Sequence, residues 1–150
     1  MIEKMLEVVS IRQVTRKTKN KYASFTIRSP RDLAEVAHHF IGNEANEVFI
    51  AIMLNTKNQV IGVHRVSTGS LNSSIVHPRE SFKAAILNNA ASICFAHQHP
   101  SGIATESPED IEVTKRLLEV GYLLGIEVLD HVIVTEDSTI YVSLKEKGYF

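Results

Sequence analysis

One stretch, residues 91–110, leaves this chain few folds, because it reads as a buried strand, a sharp break and a capped helix in immediate succession. Ala91-Ser-Ile-Cys-Phe-Ala96 is small, apolar and partly β-branched, the composition of a strand covered on both faces. Pro100-Ser101-Gly102 ends it. Ser107-Pro108-Glu109-Asp110 then opens a helix with serine at the N-cap, proline at the first helical position and aspartate at the third. His97 and His99 stand at the C-terminal edge of the strand, and residues two apart on an extended segment point the same way. Asp110, on a rigid helix end, adds a carboxylate. Two imidazoles and one carboxylate, with water in the fourth position, make an open zinc site of the catalytic kind. A closed structural site takes four protein ligands, usually including cysteines, and Cys94 is the only cysteine. Capping alone accounts for Ser107 and Asp110, and a surface pair for the histidines; the joint pattern is what points to a metal.

The rest of the chain supplies the layers that such a unit needs. Ile2 to Ile11 alternates in part, as an irregular or stranded segment, and Thr15 to Tyr22 is basic and linker-like. Ser29-Pro30-Arg31-Asp32 opens a helix to about Phe40-Ile41, with Leu33, Val36, Ala37 and Phe40 at helical spacing and Gly42 as the stop. Strands near 47–55 and 59–67 flank Thr56-Lys-Asn58, a hairpin-type connection that makes them antiparallel. A second helix spans about Pro78 to Asn89. The helix from Pro108 to about Leu124 is expected to bury Ile111, Thr114, Leu117, Leu118 and Gly121 and to end at Gly125. Ile126 to Thr135 and Ile140 to Val142 are the last strands, joined through Glu136-Asp-Ser138. Strands interleaved with three helices predict an α/β fold, a three-layer sandwich with a central mixed sheet flanked by helices. The expected division is a basic arm or edge strand over 1–29 and one domain over 30–150.

Composition narrows the partners. With 150 residues, 44% hydrophobic, and a formal net charge of −1, the chain can bury one core, and its net charge implies no nucleic-acid partner. Its distribution is less even: residues 1–30 carry Lys4, Arg12, Arg16, Lys17, Lys19, Lys21 and Arg28 against Glu3 and Glu7, a balance of +5. Such an arm is either a phosphate-contacting segment or an edge strand kept soluble by lysine. A lone cysteine excludes a disulfide within the chain and suits a reducing compartment. No signal-like start appears, nor a run near the roughly 18 apolar residues of a membrane span, so the expected location is the cytoplasm, without membrane contact. His38, His39 and His64 are expected at or near the surface with no chemistry attached.

His97-x-His99, seven intervening residues, Ser107, two more and Asp110 resembles the signature of the JAMM (MPN-type) zinc metalloproteases, and His97-Gln-His-Pro-Ser-Gly resembles their RadC-like branch. Val76-His-Pro-Arg-Glu80, the Ala84 to Ala91 helix end, Asp110-Ile-Glu-Val-Thr114 and Leu124-Gly-Ile-Glu-Val-Leu-Asp-His131 are similar as well, so the resemblance covers about residues 30 to 150. Gln98 stands where the family is expected to carry asparagine, on the side away from the histidine pair. The resemblance implies a fold related in shape to cytidine deaminases and one zinc per chain held by His97, His99 and Asp110. It also implies an upstream glutamate as general base, which Glu47 in Glu47-Val-Phe-Ile-Ala-Ile-Met-Leu54 matches better than Glu44. On that pattern Glu47 takes a proton from the zinc-activated water and passes it to the leaving amine. Ser107 donates to the developing oxyanion or to the zinc water while its lone pairs accept from the helix N–H groups. His77, Arg79, Ser101 and His131 are candidates for binding substrate or supporting the ligands. Arg79 suits a carboxylate or phosphate as well as a salt bridge at the start of its helix, and His131 suits a plain structural role too.

The implied activity is a zinc-dependent hydrolase, a metallopeptidase or isopeptidase acting on a peptide or protein substrate. One alternative is a nucleic-acid-processing or binding protein associated with DNA repair, although one zinc on two histidines and an aspartate suits carbonyl hydrolysis better than phosphodiester cleavage, which commonly uses paired metals. The other is a non-catalytic scaffold of the same fold. RadC-like proteins usually place a helix-hairpin-helix module before this domain; 150 residues leave no room for one, so a short stand-alone form is expected.

Overall fold

The structure is a computed structural model and describes residues 4, 5, 7, 14 and 16–150. The alternating reading of Ile2 to Ile11 lies outside these residues but for Lys4, Met5 and Glu7. The elements follow in the order α1 (Pro30–Ile41), β1 (Val48–Leu54), β2 (Val60–Thr68), α2 (Pro78–Leu87), β3 (Ser92–Gln98), α3 (Pro108–Leu124), β4 (Glu127–Val134) and β5 (Tyr141–Ser143). The five strands form one sheet in the order β2-β1-β3-β4-β5. Only β3 and β4 run parallel, as the crossover through α3 requires; the other pairs are antiparallel. This is the expected mixed sheet flanked by helices.

The sheet is covered on both faces, which is why β1 and β3 read as unbroken apolar runs rather than alternating ones. Val48, Ile50, Ile52 and Leu54 of β1, with Cys94 and Ala96 of β3, pack against Leu33, Val36, Ala37 and Ile41 of α1. Phe49, Ala51 and Met53, with Ile93 and Phe95, meet Phe82 and Ala85 of α2 and Val113 and Leu117 of α3 on the other side. Each fully buried Leu, Ile or Phe contributes roughly 1.5–3 kcal/mol through removal from water. Tyr22 and Ile27 join the α1 side, and Thr26 bridges Gln59 beside β2.

Two helical stripes differ from expectation. Ile41, rather than Phe40, is fully buried on α1, and Phe40 packs at the edge. On α3 the buried set is Asp110, Val113, Thr114, Leu117 and Gly121, with Ile111 and Leu118 only half-covered. The stripe is rotated because Asp110, not an apolar residue, turns inward at the first turn. At the far end a side chain on Gly121 would meet the Ile126 carbonyl at 2.7 Å, so glycine lets α3 lie against the start of β4. Gly125 then reverses the chain with φ +71°.

β4 carries the feature that most affects the site. Ile93 pairs with Val128 but Cys94 pairs with Asp130, so Leu129 is an extra residue, a bulge. The alternation shifts there: Val128 and His131 both face α2 and α3, whereas Asp130 faces α1 alongside Cys94.

Candidate metal centre

His97 is the penultimate residue of β3, on the same face as Ile93 and Phe95, and is fully buried. His99 lies just past the strand, mostly buried, its main-chain N–H held by the Val134 carbonyl at 2.9 Å. Asp110 comes from α3. The Ser107 hydroxyl accepts from the Asp110 N–H (3.1 Å) and the Asp110 carboxylate accepts from the Ser107 N–H (2.8 Å), a complete capping box that aims the carboxylate back toward β3.

The three side chains converge. His97 Nε2 and His99 Nε2 are 2.9 Å apart, and they lie 3.1 Å and 3.3 Å from Asp110 Oδ1 and Oδ2. One donor atom from each of the three lies within 4.8 Å of the others. His99 Nδ1 is 2.8 Å from the Ile103 carbonyl, which can only accept, so Nδ1 carries the hydrogen, and in the neutral ring Nε2 presents a lone pair to the centre. Burial alone would raise the Asp110 pKa, but the neighbouring imidazoles of His97 and His99 and the Ser107 N–H together hold it far below the usual carboxylate range. The Asp110 carboxylate correspondingly raises His99, favouring its protonated form in the absence of a cation, against the opposing effect of burial. An ionised carboxylate and two imidazole nitrogens facing one point are a donor set suited to a hydrolytic divalent metal, so His97, His99 and Asp110 could hold such an ion.

Around this centre a cleft of about 320 Å³ is lined by Glu47, Ser70, Leu71, Asn72, His99, Ser101, Ser107, Glu109 and Asp110. Glu47 precedes β1; its Oε2 accepts the Leu71 N–H at 3.0 Å, and its carbonyl accepts the Gly69 N–H at 2.7 Å. Glu44 lies outside the lining, paired with Arg65 at 2.6 Å. Ser101 is exposed on the rim, and its hydroxyl accepts the Ile103 N–H at 3.3 Å. His77 and Arg79 are not brought to this cleft: His77 caps α2 without a side-chain bond, and Arg79 is exposed on the first turn of that helix. Gln98, on the opposite face from His97, donates to the Glu44 carbonyl at 2.7 Å and so braces the loop leading to Glu47.

His131 lies beneath His97, fully buried. Its Nε2 is 2.9 Å from His97 Nδ1, and its Nδ1 is 2.6 Å from Thr114 Oγ1, which in turn lies 2.7 Å from the Asp110 carbonyl oxygen. Burial foremost, then repulsion by His97, holds the His131 pKa well below the ordinary histidine value. Sequence reasoning marked Thr114 only as part of a buried helix face. The signal available was a hydroxyl one helical turn after Asp110 on that face. The Leu71 N–H and the Ile103 carbonyl, which orient Glu47 and His99, are main-chain groups that no side-chain pattern reveals.

Elsewhere, His38 is half-buried and 2.8 Å from the Glu136 carbonyl, His39 is exposed against Tyr22, and His64 is half-buried on β2. Arg16, Lys17, Lys19, Lys21, Arg28 and Arg31 are exposed, and none forms an ion pair among the described residues. Among the described residues no helix is long and apolar enough to cross a membrane.

Comparison with known proteins gives a consistent result. Residues 27–149 match the RadC-like JAB domain. A UPF0758 protein of Caldanaerobacter subterraneus subsp. tengcongensis is 52% identical over 127 residues, covering 85% of this chain and 54% of that protein. UPF0758 protein YsxA of Bacillus subtilis is 54% identical over 125 residues, covering 83% of this chain and 53% of its own length. A UPF0758 protein of Bacillus cereus is 51% identical over 138 residues, covering 92% and 59% respectively. The chain thus spans a little over half the length of these relatives.

Proposed function

The chain belongs to the RadC-like JAB domain family, and from that premise we propose that it is a zinc-dependent metallopeptidase or isopeptidase. The family and the His97–His99–Asp110 group together fit a metal-dependent hydrolase. The observation that carries the finer reading is that Glu47 and Ser107 line the same cleft as His99 and Asp110.

When bound by His97, His99 and Asp110, zinc supplies Lewis acidity, lowering the pKa of a ligated water to about 7 and polarising a carbonyl. Glu47 is the proton acceptor: Leu71 holds one carboxylate oxygen and fixes the group's direction, leaving the other to take a proton and later return it to the leaving amine. The Ser107 hydroxyl, already accepting from the Asp110 N–H, keeps its own proton for the developing oxyanion. Ser101 on the rim is placed to touch the substrate peptide. Among the described residues the cleft brings the carboxylates of Glu47, Glu109 and Asp110 and no lysine or arginine, which favours a peptide over a phosphodiester.

The test is elemental analysis of protein purified without an affinity tag or chelator, followed by a peptide and isopeptide library screen. About one zinc per chain and cleavage that a chelator abolishes are expected; protein that takes up no zinc on titration would overturn the assignment. A second reading, contact with a nucleic-acid backbone, draws support from the exposed cations of residues 16–31 and predicts binding that weakens steeply with salt and with neutralisation of Lys17, Lys19 and Lys21.

A further inference from the structure

Resting on the metal reading of His97, His99 and Asp110, we propose that His131 and Thr114 form a hydrogen-bonded strut. It sets the His97 ring in the one tautomer that can bind a cation and ties that ring to the main chain of Asp110.

The polarity of the strut follows from its fixed end. The Asp110 carbonyl can only accept, so Thr114 Oγ1, 2.7 Å away, spends its single proton there. With lone pairs alone remaining, the hydroxyl accepts from His131 Nδ1 at 2.6 Å. The His131 ring is sealed from solvent and bonded only to His97 and Thr114 among the described residues, which is the setting of a neutral imidazole. A neutral ring with its hydrogen on Nδ1 has its lone pair on Nε2, and that lone pair accepts from His97 Nδ1 at 2.9 Å. His97 therefore carries its hydrogen on Nδ1 and presents a bare Nε2 to His99 Nε2 and Asp110. Were the Thr114 hydroxyl turned toward His131 instead, every step would reverse, and His97 Nε2 would be protonated and useless as a ligand.

Three elements contribute to the strut. Thr114 sits four residues after Asp110 on α3, where a hydroxyl reaches the preceding turn's carbonyl. His131 comes from β4, turned to the correct face by the bulge at Leu129. His97 comes from β3. Metal-binding histidines usually lean on a carboxylate, a carbonyl or water; here a second histidine and a threonine carry the connection to a carbonyl, and the partner adds no charge of its own. Two of the three ligands, on different elements, are thereby held in register.

Thr114→Val removes the hydroxyl at nearly constant shape, and Thr114→Ser retains it. Two readouts apply: zinc affinity from competition with a chromophoric chelator, and the tautomer of His97 from long-range ¹H–¹⁵N spectra of zinc-free protein above neutral pH. Expected are a single Nδ1–H tautomer at His97 in the wild type, loss of that preference in Thr114→Val with a ~10–100-fold weaker zinc affinity, and recovery of both in Thr114→Ser. Wild-type and valine proteins that bind zinc equally well with the same His97 tautomer would overturn the strut and leave the metal reading standing. Wild-type protein that binds no zinc, yet shows the ordered tautomer, would sink the metal reading and leave the strut. Should the valine variant fail to fold, the wild-type spectrum decides alone: hydrogen on His97 Nε2 would refute the proposal.

Discussion

Asp130 and His131 are neighbours on β4, both buried, and they face opposite sides of the sheet. On the α1 side, the Asp130 carboxylate accepts from the His131 N–H (2.7 Å), the Ser143 hydroxyl (2.7 Å) and the Lys145 N–H (3.3 Å). That cluster is complete in itself and clips the chain's last strand to the sheet. On the α3 side, the network through His131 ends with His97 Nε2, His99 Nε2 and the Asp110 carboxylate pointing at one another, all acceptors when the rings are neutral in the proposed tautomer. Buried polar groups are normally satisfied. A cluster that satisfies itself is there to hold structure, whereas one that gathers lone pairs is shaped for something from outside, and for this donor set a cation.

The contrast can be broken most forcefully at Asp110. Asp110→Ala should abolish both zinc binding and hydrolysis and, through loss of the capping box, cost about 1 kcal/mol of stability; elemental analysis and thermal unfolding read the two effects separately. Glu47→Gln should lower turnover by roughly 10²–10⁴-fold while zinc content stays at the wild-type level, because Glu47 lies beside the triad rather than in it. On the other face, Asp130→Ala leaves three donors without an acceptor and should destabilise the fold by on the order of 2–4 kcal/mol, with folded protein still taking up zinc as the wild type does. If zinc affinity collapsed as well, the two clusters would not be independent.

A smaller effect concerns pH. Burial raises the Asp130 pKa, an effect only partly offset by Ser143, Lys145 and His131. A carboxyl whose folded pKa lies above its unfolded value favours folding most when both states are protonated, below about pH 4, and that advantage is lost as pH rises through the folded pKa. The Asn variant, which cannot ionise, should therefore gain in relative stability between about pH 4 and neutrality, as measured by urea midpoints across that range. Smallest of all should be the reactivity of Cys94 on the same face. Burial foremost, with Asp130 nearby, pushes its thiol up to about 12, so alkylation of folded protein at neutral pH should be far slower than after unfolding.

Much of this architecture was legible in the chain because local signals agreed with one another. Ser29-Pro30 and Ser107-Pro108 mark helix starts that the structure places at Pro30 and Pro108, and the apolar runs before Asn55 and before His97 become the central strands. The spacing of His97, His99 and Asp110 was enough to foresee their convergence, since a strand end and a capped helix start leave those side chains little choice. The rotated stripe of α3 was hidden because a buried aspartate looks polar in any periodicity count. Glu47 is distinguishable from Glu44 in the structure by an N–H from Leu71 and an ion pair with Arg65, contacts some twenty residues away in the chain. The bulge at Leu129 has no signature in the run Glu127-Val-Leu-Asp-His131; only pairing with β3 creates it.

That bulge leaves Leu129 without a place in the ladder. Replacing its side chain should trim a partly buried contact beside α1 and little else. Deleting the residue would close the bulge and leave Asp130 opposite Cys94 and His131 opposite Phe95, each on the face it already occupies. One residue added between Val128 and Asp130, if paired in the ladder, would instead carry Asp130 toward the α3 side and His131 toward the α1 side, exchanging an imidazole for a carboxylate beneath the first ligand. For this stretch the damaging genetic lesion is a gained codon rather than a lost one.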